Sequence, residues 1–230
     1  MILGASTSLS GIFSYLTASS NWSGPSGFPT RLLQHLGYSA ETMAIAVVIG
    51  LPVGLWCGHT GRGGTVLSMI SNASRALPTL GLLVFFAVLI NVGLSAAIIP
   101  LVFLGVPPVL VNTYVGIQGV DRNLVDAALG MGMPESQVLF RVEVPVALPL
   151  IVLGLRSAAL QIVSTATIAA YVGLGGLGRY IIDGIATRNF AEVGAGAIMV
   201  AAFAIIVEGL FMLAQHFIVS PGLRAQRTTA

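Results

Sequence analysis

Five stretches of this chain are apolar over about the length that crosses a bilayer, and nothing else in it limits the fold so strongly. A membrane helix needs about 20 mostly apolar residues. The runs lie at about 41–58, 76–92, 95–116, 146–172 and 193–217, the second led in by the more polar VLSMISNASR. Inside hydrocarbon each backbone N–H and C=O must find its partner within the protein, so such runs are predicted to be helices. Composition agrees: 8% of residues are charged and 56% hydrophobic, with a mean hydropathy of +0.95. A soluble domain is nearer to about 25% charged. The expected class is an all-α membrane protein of about five transmembrane helices. The net charge of +2 is small and dispersed, which argues against nucleic acid as a partner. One cysteine, Cys57, precludes an intramolecular disulfide and reads as a small buried hydrophobe.

Residues 1–40 form an N-terminal segment, 41–217 the transmembrane domain and 218–230 a tail. SSNWSGPSGFPT reads as a loop. GIFSYLTA is too short to span; it is either an interfacial helix with Phe13 and Tyr15 at headgroup depth or a poorly ordered end. The start lacks the charged leader of a cleavable signal peptide. With five spans, Arg62, Arg75, Arg122, Arg141, Arg224 and Arg227 share one side, and Arg31, Arg179 and Arg188 the other. The positive-inside rule puts the first group in the cytoplasm, with the N-terminus outside and the C-terminus inside. Prolines within the runs free backbone carbonyls that neighbouring helices or a wet path must satisfy. Gly50, Gly54, Gly154 and the Ala158–Ala159 pair permit close helix packing.

Against this background DRNLVDAALGMGMPESQVLFRVEVP, residues 121–145, is the largest charged cluster. Asp121 suits a helix N-cap, Gly132 a stop, and Pro134 the first position of a second helix that carries Glu135 in its first turn. Two short cytoplasmic helices are therefore expected within a loop at 118–145. Ala128 and Gly132, four apart, would share a face shallow enough for another protein to approach. Val138, Leu139 and Val142 would form an apolar strip beside Arg141 and Glu143. The acidic excess disfavours an anionic lipid surface and favours a protein partner.

Asp126-Ala127-Ala128, three residues, Gly132, nine residues and Val142-Glu143-Val144-Pro145 resembles the EAA loop of ATP-binding-cassette (ABC) importer permeases. That pattern is Glu-Ala-Ala, x3, Gly, x9, Ile-x-Leu-Pro; this chain has Asp at 126, Val at 142 and Val at 144. Residues 112–185 and the first span with its flank further resemble the osmoprotectant branch, which imports glycine betaine, choline, carnitine and related quaternary ammonium solutes. The resemblance implies a methionine-permease-like fold with a cytoplasmic coupling-helix pair in the bacterial inner membrane. It also implies two permease copies, identical or sister, two ATPase subunits that receive this loop, and an external solute-binding protein. Asp126, Ala127, Ala128, Gly132, Val138, Arg141, Val142 and Pro145 would carry the coupling. ATP and magnesium would sit on the ATPase and no cofactor on this chain, which is a transport subunit and not an enzyme.

The residues themselves agree in part. No G-x-x-x-x-G-K-[ST] occurs, and GLGGLG at 173–178 follows a membrane span rather than a strand, so it reads as a turn before a short helix. Arg156 and Glu208 are charges within spans, each needing a partner. Asn112, Thr113, Tyr114, Gln161 and Thr165 could border a solute path or serve helix packing. An importer of another small solute, such as an amino acid, fits the same features. An ion-coupled transporter would show an inverted repeat and a midplane acidic pair, and an embedded enzyme a His/Asp/Glu cluster; neither is visible.

Overall fold

The computed structural model describes residues 9–218, and among them the regular structure is all helical, without strands. The expected tail at 218–230 falls almost wholly outside them. A short helix α1 (Leu9–Thr17) and a 3₁₀ turn (Ser19–Trp22) precede α2 (Phe28–Thr60). Then come α3 (Gly64–Ala76), α4 (Thr79–Ile90), α5 (Leu94–Gln118), α6 (Arg122–Gly130), α7 (Glu135–Val138), α8 (Val144–Ala169), α9 (Gly178–Thr187) and α10 (Phe190–Ile218).

Four of these elements are long and apolar enough to cross a membrane: α2, α5, α7 continuing through α8, and α10. α5 and α10 coincide with sequence-predicted spans to within a few residues, and α8 does so from Val144, with α7 and the turn after it extending the helix ahead of that run. The first differs, since α2 begins at Phe28 rather than near residue 41. RLLQHLGYSA mixes polar and apolar residues and so escapes a hydropathy reading, yet it contains no proline, and its one glycine, Gly37, is tolerated within the helix. The second expected span, 76–92, also differs. Its helix α4 has 12 residues, about 18 Å long, against roughly 30 Å of hydrocarbon. It meets α3 at an 88° bend. Pro78 is the cause: it lacks an N–H and disfavours helical backbone at Leu77. Counted together, α3 and α4 make a fifth, broken span.

The chain divides into two compact units. Among the described residues the first holds 9–42, 77–102 and 160–206. Its core joins Leu83 and Ala87 of α4 to Ala96, Ala97 and Leu101 of α5 and to Ala166 and Ala169 of α8. His35 is buried there, its Nε2 3.1 Å from the Val163 carbonyl and its ring edge-on to Phe203. The second unit holds 43–76, 103–159 and 207–218 of them. In it α5 lies against both α2 and α8, and the contacts are made by glycine. A Cβ on Gly50, Gly54 or Gly58 would fall 3.0, 2.7 or 2.6 Å from the Cβ of Val109, Thr113 or Ile117 respectively. Both sets repeat every four residues, so two helix faces meet in register at backbone distance. Gly58 completes the ladder beyond the two glycines singled out from sequence.

The second unit also contains a pair of charges across two spans. Arg156 Nε donates to Glu208 Oε2 at 2.7 Å, and Arg156 Nη2 donates to Glu208 Oε1. An isolated charge in hydrocarbon is expensive, and a two-pronged guanidinium–carboxylate bond offsets that cost. The two spans each contribute one otherwise untenable residue.

Candidate functional site

The polar segment between α5 and α8 forms a knuckle built from its own residues. Asp121 caps α6 as expected, its carboxylate accepting from the Asn123 backbone N–H at 2.9 Å. The far end of α6 closes by a pair of backbone bonds, Gly132 N–H to the Leu129 carbonyl at 2.9 Å and Met133 N–H to the Ala128 carbonyl at 3.2 Å. That is a Schellman closure, and it requires left-handed backbone at Gly132, where φ is +83°. Met133 then packs against the buried cluster of Val120, Val125, Ala128 and Val138. No atom would touch a Cβ on Gly132, so glycine stands there for its backbone and not for room.

Val120, Val125, Ala128 and Val138 are buried together, with Val142 and Val146 packed against them. Ala128 and Val138 thus face inward, sealing the knuckle, and not outward as the spacing suggested. The outward residues are Asp126, Ala127, Gly132, Arg141 and Pro145. Beside them run three exposed side chains at helical spacing, Leu124, Ala127 and Met131, the first and last 45% and 77% exposed. Leu124 and Met131 went unnoticed in the sequence, although their i, i+3, i+7 spacing was readable there.

Pro134 stands one position before the expected one, capping α7 rather than opening it, with its carbonyl accepting from Gln137 and Val138. Nor is α7 a free second helix. It passes through a π-helical turn, Leu139–Glu143, into α8, so Glu135–Val172 is one 38-residue rod. The wide turn, in which Val144 N–H reaches the Leu139 carbonyl, absorbs the donor missing at Pro145.

This turn points Glu143 inward, where it is 1% exposed. Its Oε2 meets His59 Nδ1 at 2.5 Å, and Gln118 Nε2 donates to the Gly58 carbonyl. The end of α2 is thereby tied to both arms of the knuckle. His59, Arg62, Arg122, Asp126, Glu135 and Glu143 surround a cavity of about 450 Å³ beside α6. Arg62 and Arg122, assigned to one side of the membrane from sequence, face this same cavity.

The residues considered for a solute path occupy two places. In the second unit Thr113 is fully buried against Gly54, Asn112 donates to the Pro108 carbonyl at 2.8 Å, and Tyr114 packs with Cys57, Leu67 and Leu110. In the first, Thr165 is buried and donates to the Gln161 carbonyl at 2.8 Å, while Gln161 is exposed. Among the described residues no cluster of His, Cys, Asp and Glu could hold a metal ion.

Residues 50–225 match the family described as binding-protein-dependent transport system inner membrane component. The chain belongs to this family. It is a permease component of an ABC importer, a multi-pass inner-membrane protein that is not itself an enzyme; ATP hydrolysis belongs to a separate subunit and solute delivery to a binding protein. Permeases of this family carry no cofactor. The glycine betaine/carnitine/choline transport system permease protein OpuCB of Bacillus subtilis (strain 168) is 32% identical over 194 residues, 84% of this chain and 89% of that protein. The ergothioneine transport permease/ergothioneine binding protein EgtU of Helicobacter pylori (strain G27) is 31% identical over 172 residues, 75% of this permease and 31% of EgtU. Inward-facing MetNI methionine ABC transporter chains match the permease with a TM-score of 0.73 at 23% identity, covering 84% of this chain and 96% of theirs. That likeness shows the fold.

Proposed function

We propose that this permease passes a small quaternary ammonium osmoprotectant, of the glycine betaine, choline and carnitine class, into the cell. The observation that carries the reading is the 32% identity to a glycine betaine/carnitine/choline permease over 84% of the chain. The test is uptake into proteoliposomes containing the permease, its ATPase and its binding protein. ATP-dependent accumulation of a quaternary ammonium solute is expected; accumulation of an amino acid alone overturns the assignment. The EgtU relative supports a second reading, another small solute such as an amino acid or ergothioneine, and the same panel should contain both.

In this reading two permease copies, identical or sister, face each other above two ATPase subunits. The knuckle at 121–145 points into the cytoplasm, and each ATPase receives one. The apolar stripe Leu124, Ala127 and Met131, bordered by Asp126, supplies the contact. Ala128, Val138 and Val142 keep the knuckle rigid, and Gly132 sets its angle. Arg141 and Pro145 lie where the knuckle meets the membrane helix. The His59–Glu143 bond joins ATPase-driven movement to α2 as well as to α8. Ala127→Trp tests the docking: its side chain is exposed, so the knuckle should fold while the ATPase is kept away. The variant should insert normally and fail to co-purify with the ATPase; normal stoichiometry would refute the docking surface. The N-terminus lies outside and the tail at 218–230 inside.

A further inference from the structure

A second cavity, about 250 Å³, opens among the 3₁₀ turn, the start of α2, α9 and the first turn of α10, with Tyr15 of α1 on its wall. Its base is aromatic. Fully buried Phe28 holds Trp22, Tyr15 and Tyr180 at ring-centre separations of 5.3, 6.3 and 4.7 Å. Tyr15 and Tyr180 stand 6.5 Å apart at 80° to one another, and both line the cavity. The frame is pinned by hydrogen bonds. Tyr180 Oη donates to the Ser26 carbonyl at 2.5 Å, Asn21 Nδ2 to the Tyr15 carbonyl at 2.8 Å and Trp22 Nε1 to the Leu16 carbonyl at 2.6 Å.

Four charged side chains face this space, and only two neutralise each other. Arg179 donates two hydrogen bonds to the Asp183 carboxylate, from Nε at 3.1 Å and from Nη2 at 2.5 Å. Arg31 has neutral partners, Gln34 Oε1 at 3.1 Å and Ser26 Oγ at 3.5 Å. Glu192 accepts from Asn189 Nδ2 at 3.2 Å and from the Tyr15 hydroxyl. Among the described residues neither Arg31 nor Glu192 enters an ion pair. Charges placed to staple the segments together would have paired; these two stay apart on one cavity wall. Burial, then the Glu192 charge, pushes the Tyr15 hydroxyl up to about 12. Burial also pushes Tyr180 up to about 12, with Arg31 and Glu192 acting on it in opposite senses. Both rings therefore remain neutral, electron-rich faces at physiological pH, and Tyr180 lies within electrostatic reach of one unpaired charge of each sign.

We propose that this cavity is a solute site for small zwitterions, with the Tyr15 and Tyr180 faces and the Glu192 carboxylate holding a bulky ammonium and Arg31 holding a carboxylate. A cation is attracted to tyrosine faces and to an unpaired carboxylate, while a guanidinium suits a carboxylate. The volume lies below the range of about 300–1,000 Å³ that accommodates drug-sized ligands, so a compact solute fits. The proposal rests on the osmoprotectant reading for the kind of ammonium involved. In the orientation given above, the cavity opens on the side from which solute arrives, making it a receiving station between binding protein and membrane.

The test uses the permease–ATPase complex without binding protein, with glycine betaine as zwitterion and choline as a cation lacking the carboxylate. Binding is followed by calorimetry, and uptake is measured in parallel with the complete transporter. Glu192→Gln should weaken both ligands about tenfold, and Tyr15→Leu likewise, whereas Tyr15→Phe, which keeps the ring, should bind as the parent does. Arg31→Gln should weaken glycine betaine about tenfold and leave choline unchanged. Unchanged affinities in Glu192→Gln and Arg31→Gln would overturn the site. So would undetectable binding by a complex whose complete transporter imports glycine betaine, and that result would leave the osmoprotectant reading standing. Failure of uptake for every quaternary ammonium solute would sink that reading instead, while the charge-specific loss in the binding arm would still decide the site.

Discussion

At the scale of single residues, the backbone at Gly132 and the charges at Arg156 and Glu208 offer the sharpest tests. With φ at +83°, a β-branched residue at 132 is strained by roughly 1–3 kcal/mol. Gly132→Val is expected to insert in the membrane yet lose ATPase co-purification, and Gly132→Asn, which tolerates left-handed backbone, to retain most of it. Equal behaviour of the two variants would show that the Schellman closure is unimportant. Arg156→Met leaves Glu208 without its partner and should cost about 3 kcal/mol, read as a fall in thermal stability in detergent. Removing both charges, Arg156→Met with Glu208→Leu, should recover most of that loss. A double variant as unstable as the single one would argue that the ion pair is not what these residues provide. Of these features, the glycine stop was legible in the sequence because helix-ending chemistry is local. The Arg156–Glu208 pair was not: two charges in separate spans announce that each needs a partner, but their spacing does not say which. Glu143 is the same case, since its partner His59 lies on another helix and histidines scattered along a chain carry no sign of where they meet.

At the scale of elements, packing between α2 and α5 depends on the absence of side chains. A Cβ at Gly54 would lie 2.7 Å from Thr113 Cβ and 2.8 Å from the Leu110 carbonyl, so Gly54→Leu must part the helices. Overpacking of this kind costs typically about 1–3 kcal/mol, and a lowered melting temperature is expected. Gly37 lies on the same helix with nothing near its would-be Cβ. Gly37→Ala should be neutral or stabilising by up to about 1 kcal/mol, so a loss as large as at Gly54 would refute the packing account. Long apolar runs made α5, α8 and α10 readable, and glycine periodicity made part of the α2–α5 contact readable. Roughly the first three turns of α2 were hidden by their mixed polarity, and the bend before α4 by an apolar run that reads as continuous from Ala76 through Pro78. The inward turn of Ala128 and Val138 was hidden for another reason: in so short a helix, burial is decided by what folds back over it, and Met133 does so only once Gly132 has reversed the chain.

At the scale of the whole molecule, the proposed cytoplasmic orientation of the knuckle can be measured. Met131 is 77% exposed on the knuckle, and the native Cys57 is buried. A Met131→Cys variant, expressed without the ATPase proposed to cover this position, should therefore react with a membrane-impermeant thiol reagent in inside-out vesicles and resist it in intact cells. The reverse labelling pattern would invert the proposed topology.

The unbroken passage from Glu135 through the π-helical turn to Val172 has a mechanical consequence. A crank forged in one piece loses none of its throw to play in a joint, whereas two struts meeting at a pin do. Because the wide turn replaces a loop, a tilt that the proposed ATPase partner applies at Glu135 should pass into the first turns of α8 without slack.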